Sequence, residues 1–174
     1  MAKKISYRAV PIEKITSAAL AALLVGVTRL VVAIDVAKVK MMAGFGGESG
    51  DIARLVRFES PMQTRAFVEL VVDTGRELAV PVDALMEPTG TYGDALRALR
   101  VLRGVSVSML SPKRVHDARE VFDGVPSLHD AKSCVVMAQL HRQGGSRSYT
   151  TLGADRVQLR ALVRETVLAS SDLV

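Results

Sequence analysis

The sequence predicts an α/β fold built on a mixed sheet flanked by helices, and three observations carry that expectation. From residue 30 onwards, short apolar runs that suit strands alternate with segments of helical spacing. The first three runs follow one another without a helix between them, which makes an antiparallel portion, while the later ones are separated by helices, which makes the rest parallel. The 174 residues are 49% apolar and 4% aromatic with no Trp, so the core must be built from Val, Leu, Ala and Met, and extended disorder is excluded. That length gives room for one domain with a short appendage.

Residues 1–28 combine Lys3, Lys4 and Arg8 with an apolar stretch from Ser17 to Val27. The pattern has the outline of a signal peptide, yet it passes through Thr28-Arg29 straight into the first strand, so an N-terminal helix or extension is the expectation. It is too short to span a bilayer, and no membrane partner is expected. Leu30 to Ile34 reads as a strand buried on both faces and ending at Asp35. Lys40 to Phe45 and Ile52 to Phe58 supply two more, joined by the glycines of Gly46 to Gly50. Ser60-Pro61 signals a helix with Phe67, Leu70 and Val71 on one face and Gly75 near its end.

Val80 to Met86 is the fourth strand, ending at Glu87, and Pro88 to Thr91 turns into a helix carrying Tyr92, Ala95, Leu96, Leu99 and Leu102. Val105 to Leu110 alternates as a fifth strand, and Ser111-Pro112 opens a helix to Phe122. After a break at 123–127, Leu128 to His141 is a helix apolar almost all round, hence buried, and Gln143 to Ser148 reads as a flexible linker. The tail from Leu152 to Val174 is helical, and its seam suits either the start of a coiled coil or one amphipathic helix folded back. The expected division is 1–28, a domain at 29–145, and a linker with a helix at 146–174. The helical pattern still runs at Val174, which reads as a piece of something longer.

Asp35, Glu87 and Asp130 each close a strand or open a helix. Sites in α/β sheets gather outside the carboxyl ends of strands, so Asp35 and Glu87 converge there if their strands are neighbours. Acids also cap such elements as solvated turn residues, and position alone leaves both readings open. Clustered carboxylates are what magnesium-dependent phosphodiester chemistry needs, since hard oxygen ligands hold the ions that stabilise attacking and leaving oxygens. The excess of 23 Lys and Arg over 18 Asp and Glu agrees with a polyanionic partner. A single Cys134 forms no internal disulfide and the three His show no zinc spacing, so a cytoplasmic setting is the simpler reading.

Four blocks then carry a resemblance: Val32 to Lys38, Leu85 to Leu96 with its Glu-Pro-Thr-Gly-Thr-Tyr core, Met109 to Val115, and Pro126 to Leu140. Together they resemble the DEDD transposases of the insertion sequence 110 class, which include site-specific DNA invertases. The resemblance implies a RuvC-like N-terminal domain of RNase H-like fold. It also implies DNA strand cleavage with Mg2+ or Mn2+, a structured guide RNA, a coiled coil through which copies pair as a homo-oligomer, and a C-terminal domain with a nucleophilic serine, which does not follow here. The family's first two carboxylates fall on Asp35 and Glu87, and laid without gaps its Asp-x-x-Asp step falls on Asp130 and Ser133. In this alignment Ser133, a weaker neutral ligand on the same helix face as Asp130, takes the fourth place. A shifted one puts Asp130 fourth and Ser127 third but loses the matches at Lys132 and Ala138 to Leu140. Either way three of four acids are present and one metal should bind poorly.

Candidate nucleic-acid contacts are Arg97, Arg100 and Arg103 along one helix face, and Lys113 and Arg114 at a helix start beyond a strand's carboxyl end. A merely solvated face explains the three arginines equally well. Three functions stay in competition. One is a metal-dependent strand-cleaving transposase domain, catalytic through Asp35, Glu87 and Asp130. Another is a truncated fragment that binds nucleic acid and dimerises without cutting, which Ser133 favours. The third is an actin-like nucleotide-binding fold, disfavoured because the turn after Asp35 lacks phosphate-cradling glycines.

Overall fold

The structure, a computed structural model, describes residues 8–88, 96, 103–122 and 130–150. A seven-stranded mixed sheet runs β1 (Val10–Pro11), β4 (Ile52–Glu59), β3 (Lys40–Gly46), β2 (Leu30–Asp35), β5 (Val82–Met86), β6 (Ser106–Met109), β7 (Arg147–Ser148). Pairs β2–β3, β3–β4 and β6–β7 are antiparallel, whereas β1–β4, β2–β5 and β5–β6 are parallel. Helices α1 (Ser17–Leu23), α2 (Thr64–Leu78), α3 (Pro112–Val121) and α4 (Asp130–Arg142) flank the sheet.

Two cores follow from the period-two alternation of strands. Leu30, Val32 and Ile34 of β2 join Leu20, Phe67 and Val71 on the α1 and α2 side. Val31 and Ala33 join Leu85, Val115, Cys134 and Met137 on the α3 and α4 side. A central strand buried on both faces must be apolar throughout, which explains the unbroken run from Leu30 to Ile34. Phe67 anchors the first core, stacked on Phe58 at 4.0 Å and edge-on to Phe45 at 6.2 Å between ring centroids. On the other side α4 approaches β3 closely because Gly44 has no side chain: a Cβ there would stand 3.1 Å from Cβ of Cys134.

The meander, the following helix, the parallel strands and the buried α4 stand where the periodicity puts them. Four local expectations need correction. Helix α2 starts at Thr64 rather than at Ser60-Pro61, because β4 continues to Glu59 and residues 60–63 form the turn; Gln63 accepts the Glu59 N–H there. β5 starts at Val82, not Val80, since the Val80 N–H is spent on the Gly75 carbonyl to close α2, with Ala79 left-handed at φ 53°. Gln143 to Ser148 is not a loose linker. The Gly144 and Gly145 N–H groups cap α4 on the His141 and Leu140 carbonyls, and the chain returns as β7 beside β6. Ile12, Leu20 and Leu24 are core residues, so the described part of the N-terminal segment packs on the same sheet, where β1 was not foreseen. The turn at 89–91, the helix expected over 92–102 apart from buried Leu96, the break at 123–127 and the helical tail lie outside the described residues.

Candidate active site at the carboxyl ends of the central strands

The alternation that builds the two cores also selects the site. In β2 the α4-facing row is Val31, Ala33 and then Asp35; in β5 it is Asp83, Leu85 and then Glu87, one residue beyond the strand. The register pairs Ile34 with Met86, so Asp35 and Glu87 emerge side by side from parallel neighbours, on the α4 face. Asp130 and Ser133 sit one turn apart at the start of α4.

Charge couples these groups. Burial pushes the half-buried Asp35 carboxyl above its usual range and the Asp130 charge adds to it, while a hydrogen bond from Ser133 and the Arg119 guanidinium pull back without prevailing. Glu87 is likewise raised, by burial first and then by the charge of Asp35, again with Arg119 in opposition. Asp130 itself is exposed, whereas Ser133 is fully buried. Among the described residues no three His, Cys, Asp or Glu side chains stand close enough to hold a metal ion; Asp130 acts on Asp35 through its charge, and the charge acting on Glu87 is that of Asp35.

Arg119 is the residue that sequence reasoning missed. From α3 its Nη1 donates to Ser133 Oγ at 2.6 Å, and its buried Nε has no hydrogen-bond partner. Its only signal in the sequence is a place two turns into the helix that Ser111-Pro112 opens. Lys132 is fully buried, because α4 is enclosed by the sheet and α3. Cys134 is no nucleophile: it is fully buried, burial drives its thiol far above the usual range, and Sγ donates to the Met42 carbonyl at 3.5 Å.

Of the expected cationic contacts, Lys113 and Arg114 are exposed on the first turn of α3, past the carboxyl end of β6, and Arg114 donates to the Gly145 carbonyl at 3.3 Å. Arg103 is exposed before β6 begins, at the opposite end of the sheet from Asp35 and Glu87. Arg97 and Arg100 lie outside the described residues. Other cations flank the site. A cleft of about 460 Å³ holds Asp130 together with Lys40 and Arg57, with Glu13 and Glu59 also on its wall. A second hollow of about 370 Å³, lined by Arg8, Lys14 and Arg54, shares Pro11 with it at the β1 edge.

At the far end of α4, Asp83 accepts from Arg29 at 3.0 Å and faces His141 at 3.7 Å; burial would raise its carboxyl, but His141 and Arg29 outweigh that and hold it below the usual range. Among the described residues no helix is long and apolar enough to cross a membrane.

None of the curated proteins matches the chain. Among solved structures it is similar to the ethanolamine utilization protein EutJ from Carboxydothermus hydrogenoformans, at 14% identity and a TM-score of 0.35. The match covers 52% of this chain and 39% of that one, so the chain spans about two-fifths of that protein's length. A family model described as a transposase, the DEDD type of insertion sequence 110, matches residues 32–174 and so takes in Asp35, Glu87, Asp130 and Ser133. The chain belongs to the DEDD transposase family of the insertion sequence 110 type, a family of DNA transposition and recombination.

Proposed function

We propose that this chain is the RuvC-like domain of its transposase, of RNase H-like fold, and that it acts on DNA strands at the carboxyl ends of β2 and β5. The observation that carries the reading is the side-by-side emergence of Asp35 and Glu87 from adjacent parallel strands, both raised by burial and Glu87 by its neighbour's charge. Such a pair is short of positive charge, which a divalent cation relieves. The residues fit one ion, with Asp35 and Glu87 as its holders and Asp130 adding charge; Mg2+ or Mn2+ suits these oxygen donors. When bound, such an ion supplies Lewis-acid stabilisation of phosphodiester oxygens. The order of the five longer strands, β4-β3-β2-β5-β6 with β3 antiparallel to its neighbours, supports the fold reading.

DNA is the proposed partner, with its backbone following the cleft from Asp130 past Lys40 and Arg57 towards Arg8, Lys14 and Arg54, and with Lys113 and Arg114 on the other flank. A structured guide RNA, a separate serine-bearing domain, pairing of copies through the tail and a cytoplasmic setting complete the proposal by family resemblance. A second reading, nucleic-acid binding without cutting, is favoured by one observation: Ser133 stands hydrogen-bonded to Arg119 where the family has its fourth acid.

Binding of labelled branched DNA and structured RNA to the chain, with and without Mg2+ and at two salt concentrations, tests both readings. Salt-sensitive retention with Mg2+-dependent cleavage supports the first, retention alone the second, and no retention of either ligand overturns both.

A further inference from the structure

Two carboxylates, Asp35 and Glu87, lie beside one guanidinium at this centre, with the exposed Asp130 adding its charge to Asp35. Arg119 opposes the raised values of both Asp35 and Glu87, and its Nη1 reaches Ser133 at 2.6 Å. The Ser133 hydroxyl has one proton and two lone pairs; it accepts from Arg119 and hydrogen-bonds the Asp35 carboxylate, linking cation to anion. The buried Nε of Arg119 has no hydrogen-bond partner, so the guanidinium is satisfied by charge as much as by hydrogen bonds. Arginine does not give up its proton, so this positive charge is permanent.

We infer that Arg119, seated on Ser133, is a resident cation that takes the half of the carboxylate cluster where a fourth acid would serve a second divalent ion. Resting on the function proposed above, this assigns the centre a stoichiometry. Asp35, Glu87 and Asp130 against Arg119 leave a formal charge of two minus, which one divalent ion neutralises. An acid at 133 without the arginine would leave four minus, enough for two ions. Ser133→Asp alone would pair with Arg119 and recruit no second ion.

Mn2+ uptake by the full chain, read by calorimetry and by the resonance signal of free Mn2+, tests the assignment. R119Q/S133D is expected to bind one more Mn2+ per chain than the native protein; equal uptake would overturn the inference. Because Ser133 is fully buried, the aspartate variant is the one at risk of misfolding, and R119Q alone then decides. Removing the competing charge should tighten Mn2+ binding about tenfold or more, and unchanged or weaker binding would overturn the assignment. DNA retention by the same preparations reports separately on the proposed function. Its loss from the native chain would sink that reading, while ion uptake still judges Arg119.

Discussion

Asp35 and Glu87 hold their charges at a cost to the fold, since burial raises both carboxyls and Asp35 adds its own charge to Glu87. A carboxyl raised in the folded state binds its proton more tightly there than in the unfolded chain. Its stabilisation is complete below the ordinary carboxylate value and is lost as pH rises through the raised one. Asp83 is lowered and acts in the opposite sense, its contribution being lost as pH falls through the lowered value. In metal-free buffer, D35N and E87Q should therefore raise Tm at neutral pH and D83N should lower it. The native Tm should climb on mild acidification, to about pH 5, above the ordinary carboxylate range; a native Tm that falls over this interval would contradict the argument. Ser133→Ala strands the Arg119 donor in a buried place and should cost roughly 1–3 kcal/mol in denaturant unfolding. Asp35 and Glu87 were legible in sequence because strand alternation and the ends of apolar runs mark them. Arg119 was not, because its partner lies 14 residues on, in another helix, and only packing brings them together.

At the scale of elements, α2 and β5 meet through Gly75. A Cβ on Gly75 would fall 2.3 Å from Cγ2 of Val82, a stiff branched side chain that cannot swing away. Gly75→Ala should destabilise the fold by about 1–3 kcal/mol, and Val82→Ala in the same chain should recover part of that loss in a double-mutant cycle. Independent, additive losses would contradict this close approach. The longer elements were readable because each repeats its period several times: β2 is apolar on both faces, and α2 buries Phe67, Leu70 and Val71 on one. The strands β1 and β7 have two residues each, too few to show a period, and the glycines before β7 resemble a linker until their N–H groups are found capping α4. The turn of residues 60–63 was hidden for a related reason, since Ser-Pro marks helix starts and turns alike.

For the molecule as a whole, a formal charge of +5 is informative only through its placement. Lys40 and Arg57 share a cleft with Asp130, whereas Arg103 sits at the other end of the sheet. Charge reversal of Lys40 and Arg57 should weaken DNA binding and lower its salt slope by about 1 for each phosphate no longer neutralised. Reversal of Arg103 should leave both unchanged in a fluorescence anisotropy titration. The sequence could supply the net charge but not this asymmetry, because Lys40, Arg57 and Asp130 come from three elements that only the sheet order and α4 bring together. The most direct test of the centre is thermal unfolding of the native chain and of D35N/E87Q as Mn2+ is added. Mn2+ should raise the native Tm in proportion to ligand binding and leave the double variant unmoved. An equal rise in both proteins, or none in the native chain, would contradict the assignment of Asp35 and Glu87 as the holders of the ion.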